Sequence, residues 1–323
     1  MRERAFVASL TVTVSNLMIR CVDRGWDYTS IEYPIIIDPS LSGNLYEWTF
    51  LHTLPVTEDV MELGISDRTA LVAASSRGIG KGCAMELAKE GVDLVLCARG
   101  EEDLEETAHE IEHTTQSEVF PLSVDLNTRQ GINQLINHIE ETVDHVDIAV
   151  TNNGGPPPGT FEELSDQEWE EAVEGTLMSS LRIARGVLPG MKEQGWGRIV
   201  NITSISVKEP IENLMLSNSV RSAVVGWAKT LSKEVGEEGI LVNNVCPGYV
   251  HTSRVEQLAR ENTEGTDQTV EEFIQGLGDK NPIGRPGTPE EIGALVAFLC
   301  SEKASYINGT TIQADGGQVS SLL

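Results

Sequence analysis

Residues 69–82 read Thr69-Ala-Leu-Val-Ala-Ala-Ser-Ser-Arg-Gly-Ile-Gly-Lys-Gly82. An apolar run breaks into a turn of small residues and then into an amphipathic stretch over 83–90, which predicts a strand, a loop and a helix start. A strand ending in residues with little side chain lets the backbone approach a diphosphate closely. The free N–H groups of the following helix supply the positive end that holds it. Gly78 and Gly80 suit that role, so the segment predicts nucleotide binding.

Outward from this segment, apolar runs alternate with amphipathic ones. Strands are predicted over 92–98, 119–124, 146–151, 198–202, 240–245 and near 310–313. Helices are predicted over 101–113, 128–143, from Ser165 to about Gly190, over about 214–235, and from Thr288 to near Cys300. Ser165 with Glu168, and Thr288-Pro-Glu-Glu291, read as capping boxes. The polar, glycine-interrupted stretch 251–280 has the length of two short helices covering a site. Alternation of this kind implies an α/β class with parallel strands and right-handed helical crossovers, and leaves no second domain after residue 61.

Charge narrows the partners. The 323 residues hold 50 Asp+Glu against 23 Lys+Arg, a formal net charge of -27, which repels nucleic acid and anionic membranes. Only 8 of the basic residues are lysines, so the surface reads as one adapted to a salt-rich cytoplasm. The five cysteines, Cys21, Cys83, Cys97, Cys246 and Cys300, form no CxxC or Cys/His cluster, so no metal site or disulfide framework is expected. No apolar run reaches the roughly 18 residues of a membrane span. Polar residues Thr11, Thr13, Ser15 and Asn16 interrupt the apolar stretch that a signal peptide would need.

Residues 1–60 carry 7 of the 16 aromatic residues, yet Pro34, Pro39, Gly43 and Pro55 break them and no period persists. They read as an extension to the domain at 61–323: a poorly ordered leader, or a stretch not native to the protein. A dimer arm or substrate cover is the alternative. Met61-Glu-Leu-Gly-Ile-Ser-Asp-Arg would itself make a sensible start before the first strand.

Five separate motifs now fall in order: Ser75-Ser-Arg-Gly-Ile-Gly80, Val124-Asp125-Leu126, Asn152-Asn-Gly-Gly155, Pro247-Gly248 through Thr252, and Asn308-Gly-Thr to Asp315-Gly-Gly317. Together they resemble the short-chain dehydrogenase/reductase family, in particular its 3-oxoacyl-carrier-protein reductase branch. The resemblance covers about residues 61–320. It implies a single doubly wound Rossmann domain, with a seven-stranded, mostly parallel sheet and helices on both faces. By that resemblance the cofactor-binding positions are Ala74, Ser76, Arg77, Gly78, Ile79, Gly80, Arg99, Asp125, Leu126, Asn152, Gly154, Arg221, Pro247, Gly248, Val250 and Thr252. One departure lies in the loop, where the family's first glycine is Ala74. The turn tolerates alanine only if φ stays negative there.

Members using NAD place an acidic residue at the end of strand two for the ribose 2′-OH, whereas this chain has Arg99 there and Arg77 in the loop. Two guanidinium forks suit a 2′-phosphate, so NADP(H) is expected over NAD(H). The long helices at about 166–190 and 214–235 match those of the family's four-helix contact, which implies a homodimer or homotetramer.

The catalytic positions depart furthest. The family uses a Tyr-x-x-x-Lys pair, a serine at the end of strand five and an asparagine on an earlier helix. Ser204 is present, but 13 residues on stands Ser217. The lysine position is Arg221, and the asparagine position, seven after Trp169, is Thr176. A serine hydroxyl is a far weaker acid than a phenol of pKa about 10, and arginine does not deprotonate to act as a base. Arg221 can still bind ribose hydroxyls, neutralise an alkoxide or hold a substrate carboxylate. The proton must come from water held by Ser204 and Ser217 or from a titrating neighbour such as His251; Tyr249 and Lys208 also lie near the aligned site.

The residues thus imply an NADP(H)-dependent oxidoreductase acting on a carbonyl/alcohol pair, 3-oxoacyl reductase-like, with Ser204, Ser217, Arg221 and Thr176 at its centre. The alternative is a non-catalytic dinucleotide-binding sensor or scaffold of the same fold.

Overall fold

The computed structural model describes residues 61–322. The readings made for residues 1–60, including arm, cover and leader, fall outside the described residues.

The opening segment folds as read: β1 Thr69–Ala73 runs into the loop and then α1 Gly78–Lys89. The chain continues through β2 Asp93–Ala98, α2 Glu101–Thr114, β3 Val119–Ser123, α3 Arg129–Thr142 and β4 Ile148–Thr151. Then follow α4 Asp166–Ala172, α5 Ser179–Gln194, β5 Gly197–Ile202, α6 Met215–Glu234 and β6 Ile240–Pro247. Helices α7 Ser253–Thr263, α8 Val270–Gly278 and α9 Pro289–Cys300 precede β7 Thr311–Ala314.

The seven strands form one sheet in the order β3-β2-β1-β4-β5-β6-β7. All six pairings are parallel, so the sheet is parallel throughout rather than mostly so. Side chains alternate across it. Ala70 and Val72 of β1 join a core with Cys83 and Leu87 of α1, Leu104 of α2 and Ile292 of α9. Leu71 and Ala73 join one with Leu135 of α3, Ile183 of α5 and Ala228 of α6. The central strands β1, β2, β4, β5 and β6 are therefore buried on both faces and mostly apolar, whereas the edge strands β3 and β7 are only partly buried.

One expected helix changes on folding. The helix expected from Ser165 to Gly190 is interrupted by a π-helical segment, Val173–Met178, and α5 then carries on to Gln194 with Pro189 inside it. Ser179 and Ser180 hydroxyls bond back to the carbonyls of Gly175 and Thr176 at 2.6 and 2.9 Å, taking up acceptors that the wider turn frees. The expected capping boxes at Ser165 and Thr288 form, and a third, at Thr269, starts α8.

Candidate functional site

The strand order reverses direction between β1 and β4, so the loops after these two strands diverge and leave a crevice at the carboxyl edge of the sheet. The loop after β1 is pinned to β2: Ser75 N–H donates to the Cys97 carbonyl at 3.2 Å, and the Ser75 hydroxyl accepts from Cys97 N–H at 3.1 Å. Ala74 sits at φ +52°, in the left-handed region. The expectation of a negative φ is thus corrected: the turn keeps the shape a glycine would give it, and the alanine bears roughly 1–2 kcal/mol of strain. Gly80 explains the tightness, because a Cβ there would lie 2.2 Å from the Ala74 carbonyl oxygen.

No side chain caps the start of α1. Its N–H groups open onto a cleft of about 480 Å³ lined by Ser76, Arg77, Gly78, Thr107, His251 and Thr252, among others. At the far side Gly154 has nothing within 4 Å of where a Cβ would stand. An uncapped helix start beside an open crevice fits the diphosphate of a dinucleotide. Arg77 and Arg99 are both exposed and neither makes an ion pair among the described residues. Asp125 follows β3 and accepts Asn127 N–H at 3.1 Å, while Leu126 is buried beside it. Pro247 ends β6, Gly248 N–H bonds the Ala314 carbonyl of β7, and Val250 pairs with Gly287. Thr252 caps α7 and is the residue a Cβ on Gly78 would meet, at 3.2 Å.

Deeper in the crevice, Arg221 is only 9% exposed. Its Nη1 donates to the carbonyls of Ile202 (3.1 Å) and Thr203 (2.9 Å), and its Nη2 to Asn153 Oδ1 (3.2 Å). Burial, with Arg254 nearby, pushes its pKa down to about 10 against a weaker opposite pull from Cys246, so it stays charged at neutral pH. Ser217 stands one turn earlier on the same face of α6, is 8% exposed, and its hydroxyl has no partner among the described residues. Ser204 follows directly on the carbonyls that hold Arg221. Its Oγ accepts from Ser206 N–H at 3.1 Å, which leaves its own proton free to donate outward. Loop 209–214 is held over this corner by Asn218, which bonds both the N–H and the carbonyl of Ile211 at 3.2 and 2.9 Å.

The structure gathers Arg221, Ser217 and the loop after β5 that carries Ser204 at one corner. Thr176 is buried inside the π segment. Asn152 is half-buried just after β4. His251 does not join them: its Nε2 pairs with Glu256 at 3.2 Å, and it lines the cleft beside Arg77. Lys280 Nζ lies 5.2 Å from the centre of the Tyr249 ring, and Lys208 is partly exposed without an ion pair.

Sequence reasoning missed Asn153. Its Nδ2 donates to the Gly175 carbonyl at 2.7 Å, and its Oδ1 accepts from Gly155 N–H and from Arg221. One side chain thus ties the π segment, the loop after β4 and α6 together. The only trace in the sequence is the doubled asparagine, of which the motif points to the first.

Such an arrangement, an open crevice at the switch point of a parallel sheet with an uncapped helix start at its rim, is that of a Rossmann-type fold. A sequence profile of the family described as Enoyl-(Acyl carrier protein) reductase matches residues 73–318. The 3-oxoacyl-[acyl-carrier-protein] reductase FabG of Aquifex aeolicus is 32% identical over 257 residues, 80% of this chain and 99% of that protein. L-sorbose reductase of Gluconobacter frateurii, solved with NADPH and L-sorbose, superposes with a TM-score of 0.79 at 33% identity, covering 81% of this chain and all of that one. An actinorhodin polyketide ketoreductase variant with NADPH gives 0.74 at 33% identity, over 79% and 98% of the two chains. The chain belongs to the short-chain dehydrogenase/reductase family and is related to its ketoacyl reductases.

Among the described residues no group of His, Cys, Asp and Glu could hold a metal ion, and no helix is long and apolar enough to cross a membrane.

Proposed function

We propose that this protein is an NADP(H)-dependent oxidoreductase that interconverts a small carbonyl compound and its alcohol, using Ser204, Ser217 and Arg221 with Thr176 in support. The observation that carries this reading is the Arg221 guanidinium, buried beside Ser204 and held by the carbonyl edge of β5 and by Asn153.

NADP(H) would be held by the start of α1 at its diphosphate, by Arg77 and Arg99 at its 2′-phosphate, by Asp125 and Leu126 at its adenine, and by Asn152, Gly154 and residues 247–252 on the nicotinamide side. When bound in reduced form it supplies the hydride. Ser204 and Ser217 donate hydrogen bonds to the carbonyl oxygen, and Arg221 offsets the negative charge that develops there. Neither serine is acidic enough to give up a proton unaided, so the proton comes from water that they and Thr176 order at the crevice floor. The N–H groups of Arg221 that these bonds leave free also serve the ribose hydroxyls. NADPH in both solved relatives supports the cofactor choice, and the sorbose complex supports a small polar carbonyl substrate.

The homodimer or homotetramer expected from helices α5 and α6 and the salt-rich cytoplasmic setting expected from the net charge of -27 belong to the same reading. Loss of NADPH absorbance over a panel of ketones, oxo acids and imines tests it. Tight cofactor binding without turnover on any of them would favour the non-catalytic alternative.

A further inference from the structure

The Arg221 guanidinium is charged, nine-tenths buried, and answered only by two backbone carbonyls and one amide oxygen. No carboxylate is within salt-bridge distance of it among the described residues. A buried cation with neutral partners alone is costly to fold around, and a protein with 50 acidic residues has no shortage of counter-ions. Of the acids nearest before Arg221 in sequence, Glu209 accepts from Ser320 N–H, and Glu212 is exposed and makes no ion pair with it.

We infer that the substrate of this site is an oxo acid, whose free carboxylate is the missing counter-ion of Arg221. The inference rests on the carbonyl reduction proposed above and names its substrate class. The Ser217 hydroxyl, one turn from Arg221 and without a partner, adds a donor for the second carboxylate oxygen or for the carbonyl. In the reaction the carbonyl carbon gains the hydride lost by the reduced nicotinamide and the carbonyl oxygen gains a proton from water. The C=O becomes CH–OH, while the carboxylate is unchanged and remains bound to Arg221.

The test is isothermal titration of the NADP⁺-loaded full-length protein at constant ionic strength with four probes: 2-oxobutanoate, 3-oxobutanoate, methyl 3-oxobutanoate and the N-acetylcysteamine thioester of 3-oxobutanoate. NADPH oxidation is measured on the same four. At least one free acid is expected to bind about tenfold or more tightly than the ester and the thioester. That advantage should shrink to about threefold or less in Ser217→Ala, and disappear in Arg221→Gln. Ester or thioester binding as tight as either acid, or an acid advantage that survives in both variants, overturns the inference. Turnover separates it from the proposal beneath it: rapid reduction of the neutral probes leaves carbonyl reduction standing and removes the oxo acid. Selective acid binding without any turnover does the reverse.

Discussion

Arg221 and Asn153 meet through a 3.2 Å hydrogen bond from Nη2 to Oδ1 that joins α6 to the loop after β4 across the floor of the crevice. Asn153 also holds the Gly175 carbonyl at 2.7 Å, so the guanidinium and the π segment take their positions from one side chain.

Asn153→Ala is expected to lower kcat/KM by about tenfold or more, roughly 1.4 kcal/mol, and to lower stability by about 1–3 kcal/mol through the unpaired buried groups it leaves. Kinetics on a verified substrate and a denaturant titration check it. Unchanged kinetics in a folded variant would remove Asn153 from the positioning of Arg221.

Ser217→Ala and Arg221→Ala should each reduce turnover by about tenfold or more, about 1.4 kcal/mol of transition-state stabilisation, with circular dichroism unchanged. The pair Ser217→Tyr with Arg221→Lys supplies a phenol and a lysine to tune it. In a site adapted to its own substrate the ring obstructs that substrate and the native reaction falls. A gain of carbonyl reduction in the double variant would mark the site as decayed instead.

NADPH is expected to bind more tightly than NADH, and Arg99→Asp with Arg77→Ala to narrow or reverse the preference. Each charge-assisted hydrogen bond to the 2′-phosphate is worth about 1.5–3 kcal/mol. Fluorescence titration with the two cofactors decides, and equal affinities in the unmodified protein would end the idea.

Ala74→Gly should raise stability by up to about 1 kcal/mol, because relief of the strain at φ +52° exceeds the added freedom of the unfolded chain. An increased melting temperature is the expected readout. A decrease would mean that the methyl group packs well enough to offset its backbone conformation.

A chain beginning at Met61 is expected to fold, bind cofactor and keep its activity, since every motif of the family lies beyond it. Aggregation of that shorter protein, beside a well-behaved full-length one, would show that residues 1–60 are needed.

The periodic features of this protein were written in its sequence. Buried parallel strands must be apolar on both faces, crossover helices must be amphipathic, and helix starts recruit Ser165 and Thr288 as caps; each is a local rule that needs no distant residue. The glycine loop was legible for the same reason, and so were Ser204, Ser217 and Arg221 as positions. What those positions touch was decided only by the tertiary structure. The positive φ of Ala74 follows from the contact of Gly80 with its carbonyl, against the local preference of alanine. The π segment, the bridging Asn153 and a buried arginine without a carboxylate arise where β4, β5 and α6 converge from residues 20 to 70 apart in the chain, as in the Arg221 to Asn153 bond spanning 68 positions. Separations of that length carry no periodic signal, so only the closed fold could show that a charge lies buried there with neutral partners.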